Sequence, residues 1–244
     1  MTAILAIETS SHVGSVCVLN DGVAYAEFIR DDAKLSGWIL PAVDRMLTQA
    51  TLGMTELSAI AFGHGPGSFT GVRTACATAQ ALAYANTIPL YAVGTLDALA
   101  KVAFSPNPNF NRAFQRFYII LDARMNEAYR LVINRNQPES SISSSVDLVP
   151  WSDLTLSADA SAYAGSGAVF IEARDGLPQD DYDALCQRTE DAESRWAEGV
   201  ARLALAQIQQ GRAPINPLAA EPYYVRNRVA QTEAERAALK AQAA

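Results

Sequence analysis

The sequence predicts a mixed α/β protein of two lobes, in which helices flank mixed β-sheets. Short apolar strands alternate with amphipathic helices, the order that such layered folds require. The chain also opens twice in the same way, because Ile4–Glu8 and Tyr118–Asp122 are both apolar runs that end in a carboxylate. A further strand follows each opening, so the halves are predicted to share one fold, with the second lobe reduced.

The first half is predicted to hold five strands and three helices. Apolar or alternating runs predict the strands, and apolar residues three or four apart predict the helices. The strands are expected at 3–7, 14–19, 23–29, 57–62 and 90–93, and the helices at 36–50, 71–85 and 95–104. Asn20-Asp21-Gly22 predicts a hairpin turn between the second and third strands.

The second half is predicted to begin after a linker at 105–109. Strands are expected at 118–122, 129–133 and 163–167, a loop at 136–145 and a helix at 194–210. The predicted division is a first lobe at 1–104, a reduced second lobe at 110–228 and a charged tail at 229–244.

The chain is acidic, with 244 residues and a formal charge of −7. Nucleic-acid affinity comes mainly from Lys and Arg on phosphates, so stand-alone RNA binding is not expected. Three distant cysteines and two isolated histidines predict a reduced cytoplasmic protein without a metal site. Neither a membrane span nor a signal peptide is predicted.

A glycine-rich loop from Gly63 to Arg73 lies between a predicted strand and an alanine-rich helix. Glycines allow close or left-handed backbone, and helix N-termini attract anions, so the loop is either a phosphate cradle or a tight elbow. It has neither the Lys-Ser/Thr of a P-loop nor the spacing of a Rossmann turn. Thr70 is predicted to cap the helix.

The repeated opening suggests the actin-like ATPase architecture, in which the two hairpin turns grip phosphates and metal. The first turn, Glu8-Thr9-Ser10-Ser11, is small and hydroxyl-rich, whereas the second carries bulky Arg124 and Met125. Ordinary hairpins with capping side chains explain both turns equally well. The candidate nucleotide- or anion-binding residues are Glu8, Thr9, Ser10, Gly65, Gly67, Ser68 and Thr70.

Four segments together resemble the TsaB (YeaZ) family: 4–10, 65–73, 122–129 and 221–227. The resemblance implies a two-lobed actin-like (ASKHA) fold and a role in making threonylcarbamoyladenosine (t6A) beside the anticodon of tRNA. It also implies a non-catalytic subunit without a cofactor. Such a subunit binds and activates a TsaD-type transferase, works with a TsaE-type ATPase and meets tRNA only through the complex.

TsaD proteins of the same superfamily carry an HxxxH metal motif on the first long helix, but this chain has no histidine between positions 13 and 63. Imidazole ligands are missing there, so neither a metal nor catalysis is expected. No serine–histidine–carboxylate set is recognisable. An actin-like ATPase and a glycoprotease-type peptidase are the alternative functions.

The first two helices carry more apolar residues than one core-facing stripe needs, and the resemblance implies that these helices bind TsaD. The predicted partner surface is Trp38, Ile39, Val43, Met46, Leu47, Ala75, Ala79 and Ala83. Alternatively these residues simply cover the sheet, as most apolar helix positions do. An exposed patch would also pair with itself, giving a homodimer that competes with TsaD.

Overall fold

The structure is a computed structural model that describes residues 2–30, 34–103, 116–134, 146–154, 161–164 and 192–225. Its strands are β1 Ala3–Glu8, β2 Gly14–Asn20, β3 Val23–Ile29, β4 Ala59–Gly63, β5 Leu90–Val93, β6 Arg116–Arg124, β7 Glu127–Asn134, β8 Asp147–Pro150 and β9 Ser161–Ala164. Its helices are α1 Leu35–Gln49, α2 Phe69–Asn86, α3 Thr95–Ala103 and α4 Trp196–Gln209. The predicted linker, the loop at 136–145 and the tail lie outside the described residues.

The first five strands form one mixed sheet in the order β3-β2-β1-β4-β5. β1, β2 and β3 pair antiparallel, whereas β4 and β5 extend the sheet in parallel. Asp21 and Gly22 have φ values of 45° and 87°, the left-handed conformations that a two-residue hairpin turn needs. All five strands predicted for the first half are confirmed, as is the hairpin.

Different helices cover the two faces of this sheet. Because side chains alternate along a strand, Leu5 and Ile7 pack in one cluster with α1 and α2. Ile4 and Ala6 pack in the opposite cluster with α3 and α4. The first sheet is therefore the middle layer of a sandwich with helices on both sides.

The second sheet repeats the beginning of the first. Its order is β8-β7-β6-β9, with three antiparallel strands and β9 parallel to β6, which matches β3-β2-β1-β4. The sequence pattern misses β8, since four residues show too little alternation to be recognised. The duplicated sheet arrangement is the expected actin-like fold, and within the described residues the second sheet is one strand smaller.

α4 packs on the first sheet although it follows the second sheet in sequence. Trp196 is fully buried and its Nε1 donates to the carbonyl of Thr95 at 2.8 Å. The backbone N–H of Ala197 donates to Ser15 Oγ in β2 at 3.0 Å. This helix falls within the predicted second lobe at 110–228 and packs on the first sheet, and the division into lobes stays a prediction. Among the described helices, none has the length and apolarity needed to cross a bilayer.

Candidate functional site

Glu8 ends β1 as a fully buried carboxylate that joins three segments of the chain. Its oxygens accept hydrogen bonds from the backbone N–H of Ser10 at 2.6 Å and from Thr95 Oγ1 at 3.1 Å. The Thr95 hydroxyl in turn accepts from the N–H of Gly65 at 3.0 Å. Burial raises the pKa of Glu8, and these hydrogen bonds act in the opposite direction. Both carboxylate oxygens are thus engaged by the chain itself.

The glycine loop packs directly on the first hairpin turn. A Cβ on Gly67 would lie 2.5 Å from the carbonyl oxygen of Ser10. A Cβ on Gly71 would lie 2.9 Å from the carbonyl carbon of Thr9, with the Thr9 oxygen closer still. Gly65 has a φ of 113°, a conformation that favours glycine. A Cβ on Gly65 would also lie only 2.6 Å from the carbonyl oxygen of Tyr223. This geometry is that of a tight elbow.

Hydrogen bonds fasten the same elbow. Ser68 donates its N–H to the carbonyl of Ser10, and Thr9 Oγ1 donates to the carbonyl of Gly71, both at 2.6 Å. Ser68 Oγ accepts from the N–H of Gly71 at 3.1 Å, which makes Ser68 the N-cap of α2. The prediction of Thr70 as the cap is wrong, because the helix begins two residues earlier than its apolar pattern.

The predicted anion-binding residues therefore come together, but as packing partners of one another. Ser10 contacts Gly67 and Ser68, and Glu8 is joined to Gly65 through the Thr95 hydroxyl. Thr9 bonds the carbonyl of Gly71, whereas Thr70 is exposed on α2. The Ser10 hydroxyl is buried without a hydrogen-bond partner among the described residues. Anion binding by these residues stays a prediction.

The second hairpin turn has a different shape from the first. Arg124, Met125 and Asn126 all have left-handed φ values, between 56° and 62°. Asp122 Oδ1 accepts a hydrogen bond from the N–H of Arg124 at 2.8 Å, and the Met125 side chain is exposed. The Asp122 carboxylate near the end of β6 thus accepts a hydrogen bond within its own turn.

Most of the predicted partner surface lies in the core. Seven side chains are at most 6 % exposed: Ile39, Val43, Met46, Leu47, Ala75, Ala79 and Ala83. They pack against the apolar side chains of the first sheet. Trp38 is half-buried and its Nε1 donates to Glu27 in β3 at 2.9 Å. The expectation that these seven side chains face solvent is wrong, because they are the apolar stripe with which α1 and α2 cover the sheet.

Other residues of α1 and α2 form the exposed surface. On α2 they are Phe69, Thr70, Arg73, Ala77, Ala81, Tyr84 and Ala85, and on α1 they include Leu40, Asp44, Arg45 and Thr48. We call the α2 set together with Leu40 the outer helix face. Phe69, Arg73, Ala77, Ala81 and Tyr84 follow one another at intervals of three or four residues, so they share one side of α2.

The C-terminal segment 221–225 lies across the glycine loop, a placement that sequence reasoning misses. The N–H of Tyr223 donates to the carbonyl of His64 at 2.6 Å, and the two rings stack with centroids 5.6 Å apart. Burial lowers the pKa of His64. Tyr224 accepts a hydrogen bond from Arg73 Nε at 2.8 Å. The only sequence signal for this contact is that 65–73 and 221–227 are both among the four segments that resemble the TsaB (YeaZ) family.

Asp97 is a half-buried acid that sequence reasoning misses. It lies in the first turn of α3, beside Gly94, and its Oδ1 has no hydrogen-bond partner among the described residues. Burial raises the pKa of Asp97 to about 7. Nothing in its sequence context distinguishes it from an ordinary first-turn aspartate.

The fold and the duplicated hairpins define an actin-like protein, and similarities to known proteins are more specific. Residues 32–148 match the family model of TsaD, tRNA N6-adenosine threonylcarbamoyltransferase. The tRNA threonylcarbamoyladenosine biosynthesis proteins TsaB of Escherichia coli and Haemophilus influenzae are 37 % and 36 % identical over 134 and 139 residues. These matches cover 55 % and 56 % of this chain and 56 % of each relative.

A solved structure gives wider coverage. YeaZ from Pseudomonas aeruginosa is 27 % identical with a TM-score of 0.71, and the match covers 92 % of this chain and all of that one. A second structure, of an uncharacterized protein with similarity to peptidase YEAZ from Pseudomonas aeruginosa, is 26 % identical with a TM-score of 0.73, and the match covers 93 % of this chain and all of that one. These similarities together support the TsaB (YeaZ) family.

Proposed function

We propose that this chain is a non-catalytic subunit in the cytoplasmic synthesis of t6A and that it binds and activates a TsaD-type transferase. The names of its TsaB relatives support the pathway. The observation that carries the role is the outer helix face, which remains uncovered after the core stripe has been buried.

The composition of this face suits a helix from another protein. Ala77 and Ala81 are small, so a second helix can approach closely, and Tyr84 is a large exposed side chain at the end of the same stripe. α1 covers β2 and β3 while α2 covers β1 and β4, so the two helices lie side by side on one layer. Two neighbouring helices with exposed residues favour a helix-bundle contact.

The elbow supports an accessory role over the ATPase alternative. The oxygens of Glu8 and the close approaches of Gly67 and Gly71 are used for contacts within the chain. In this proposal a TsaE-type ATPase completes the system, and tRNA meets the chain only through the complex. The isolated chain forms a homodimer through the outer helix face, and TsaD competes with it.

Reconstitution tests the proposal. Threonylcarbamoyl-adenylate, ATP, tRNA, TsaD and TsaE are combined with or without this chain, and t6A is measured in the tRNA. We expect t6A only when the chain and TsaD are both present. Modification by the chain alone, or ATP turnover by the pure chain, would favour an enzyme instead.

A pair of variants tests the docking face. Ala81→Arg places a long charged side chain on α2, whereas Ala213→Arg makes the same change at an exposed alanine beyond α4. We expect Ala81→Arg to abolish TsaD binding in a pull-down and Ala213→Arg to leave it intact, with unchanged circular dichroism for both. Equal binding by the two variants would place the interface elsewhere.

A further inference from the structure

Two segments that are joined by a hydrogen bond between residues 151 positions apart build an exposed aromatic cluster around Arg73. The Arg73 guanidinium carbon lies 3.7 Å from the ring centroid of Phe69. The same guanidinium donates through Nε to the Tyr224 hydroxyl at 2.8 Å, and the rings of Phe69 and Tyr224 lie 5.9 Å apart. Phe69, Tyr223 and Tyr224 are 48 %, 46 % and 39 % exposed, so the cluster is a surface and not a core.

Arg73 differs from Arg45, Arg130 and Arg202 in its electrostatic surroundings. Arg45, Arg130 and Arg202 each hold a carboxylate oxygen at 2.6 to 2.9 Å. Arg73 has no carboxylate partner among the described residues, although the chain carries a net charge of −7. It is also the only charged residue in the 18 residues of α2. An exposed cation is thus held beside aromatic rings without an ion-pair partner in the part of the chain that the structure describes.

The cluster orients the guanidinium before any partner arrives. Stacking on Phe69 restricts the plane, and the hydrogen bond to Tyr224 uses Nε, which leaves both terminal nitrogens for another acceptor. Two such nitrogens match the two oxygens of a carboxylate, and a side chain that is already ordered loses less entropy on binding.

We infer that Arg73 is the charged anchor of the outer helix face and that it receives a carboxylate from the partner protein. This inference rests on the proposed function. Arg73, Ala77 and Ala81 are all exposed and four residues apart, so the anchor continues the stripe on which a partner helix would lie. Clustered arginine and tyrosine are typical of residues that dominate binding energy.

Charge complementarity favours a different protein as the occupant, over a second copy of this chain or an RNA. α2 contains no carboxylate, so the same helix of a second copy offers Arg73 no acceptor. An RNA phosphate is disfavoured because one cation on an acidic chain provides little of the counterion release that drives such binding. Tyr224 has the role of a positioning residue, since it acts through the orientation of Arg73.

The test is a titration of this chain with purified TsaD by calorimetry at low and high salt. Arg73→Gln removes the charge, Tyr224→Phe removes only the orienting hydroxyl, and Arg212→Gln is the matched control at another exposed arginine. We expect Kd to rise about tenfold for Arg73→Gln, about threefold for Tyr224→Phe and not at all for Arg212→Gln. The salt dependence of Kd should flatten only in Arg73→Gln.

Arg73→Lys keeps the charge but not the planar fork, so it should bind between wild type and Arg73→Gln. Wild-type affinity of Arg73→Gln alongside lost binding of Ala81→Arg would overturn this inference and leave the proposed function standing. Normal TsaD binding by both Arg73→Gln and Ala81→Arg would also contradict the outer helix face as the docking site. An effect of Arg73→Gln confined to self-association, or to tRNA retention by the isolated chain, would also overturn it.

Discussion

Replacing Gly71 by alanine tests whether the glycine loop is a tight elbow. The new methyl group would meet the carbonyl of Thr9 and come within 2.6 Å of Ser68 Oγ, the atom that caps α2. Overpacking of this kind costs about 1–3 kcal/mol, and the gain in helix propensity recovers at most about 1 kcal/mol of it. Because the opposing atoms include backbone, we expect Gly71→Ala to lower the free energy of unfolding by about 1–2 kcal/mol.

Gly37 provides the matched control, because it is also helical but a Cβ there would meet nothing within 4 Å. Gly37→Ala should stabilise the protein by about 0.5–1 kcal/mol through helix propensity and a less flexible unfolded chain. For a chain of this size each kcal/mol moves the melting temperature by about 2–4 °C. Scanning calorimetry should therefore show a fall of about 2–8 °C for Gly71→Ala and a rise of about 1–4 °C for Gly37→Ala. A Gly71→Ala melting temperature at or above that of wild type would refute the elbow.

Three other outcomes follow from burial. Met46→Glu should unfold the protein in circular dichroism, because Met46 is 2 % exposed, whereas Leu40→Glu, on the open side of α1, should leave the melting temperature within about 2 °C. The raised pKa of Asp97 means that the folded state holds the proton of this carboxyl more tightly than the unfolded state does. Asp97 therefore stabilises the fold below about pH 4, and this stabilisation is lost as the pH rises through about 7. In chemical denaturation, Asp97→Asn should make the free energy of unfolding fall less between these pH values. Ser15→Ala leaves the buried N–H of Ala197 without its acceptor and should cost about 1–2 kcal/mol in urea unfolding, and no loss would argue against a fixed α4.

The order of strands and helices could be predicted because each element depends on the pattern of residues that are close together in the sequence. Apolar runs and helical spacing predict the strands and helices of the first half. Asn20-Asp21-Gly22 predicts the hairpin, and the carboxylate at the end of each opening strand predicts the duplication. β8 escapes the same reasoning, since a four-residue edge strand has too few positions to show a period.

The surface of α1 and α2 could not be predicted from apolar content alone. Met46 and Ala79 belong to the core stripe, while the exposed stripe is made of Arg73, Ala77 and Ala81, and only the sheet beneath the helices decides which side is which. Small alanines carry almost no directional signal, so the helix period does not separate the two faces.

The sequence by itself determined the fold class, the resemblance to the TsaB (YeaZ) family and the position of the glycine loop, because each depends on residues that are neighbours along the chain. Tertiary structure alone decided what the loop touches. Thr9 and Ser10 fill the space beside Gly71 and Gly67, and Tyr224 meets Arg73 across 151 positions. Contacts at such separations leave no periodic pattern in the sequence, since they arise only when folding brings distant segments together.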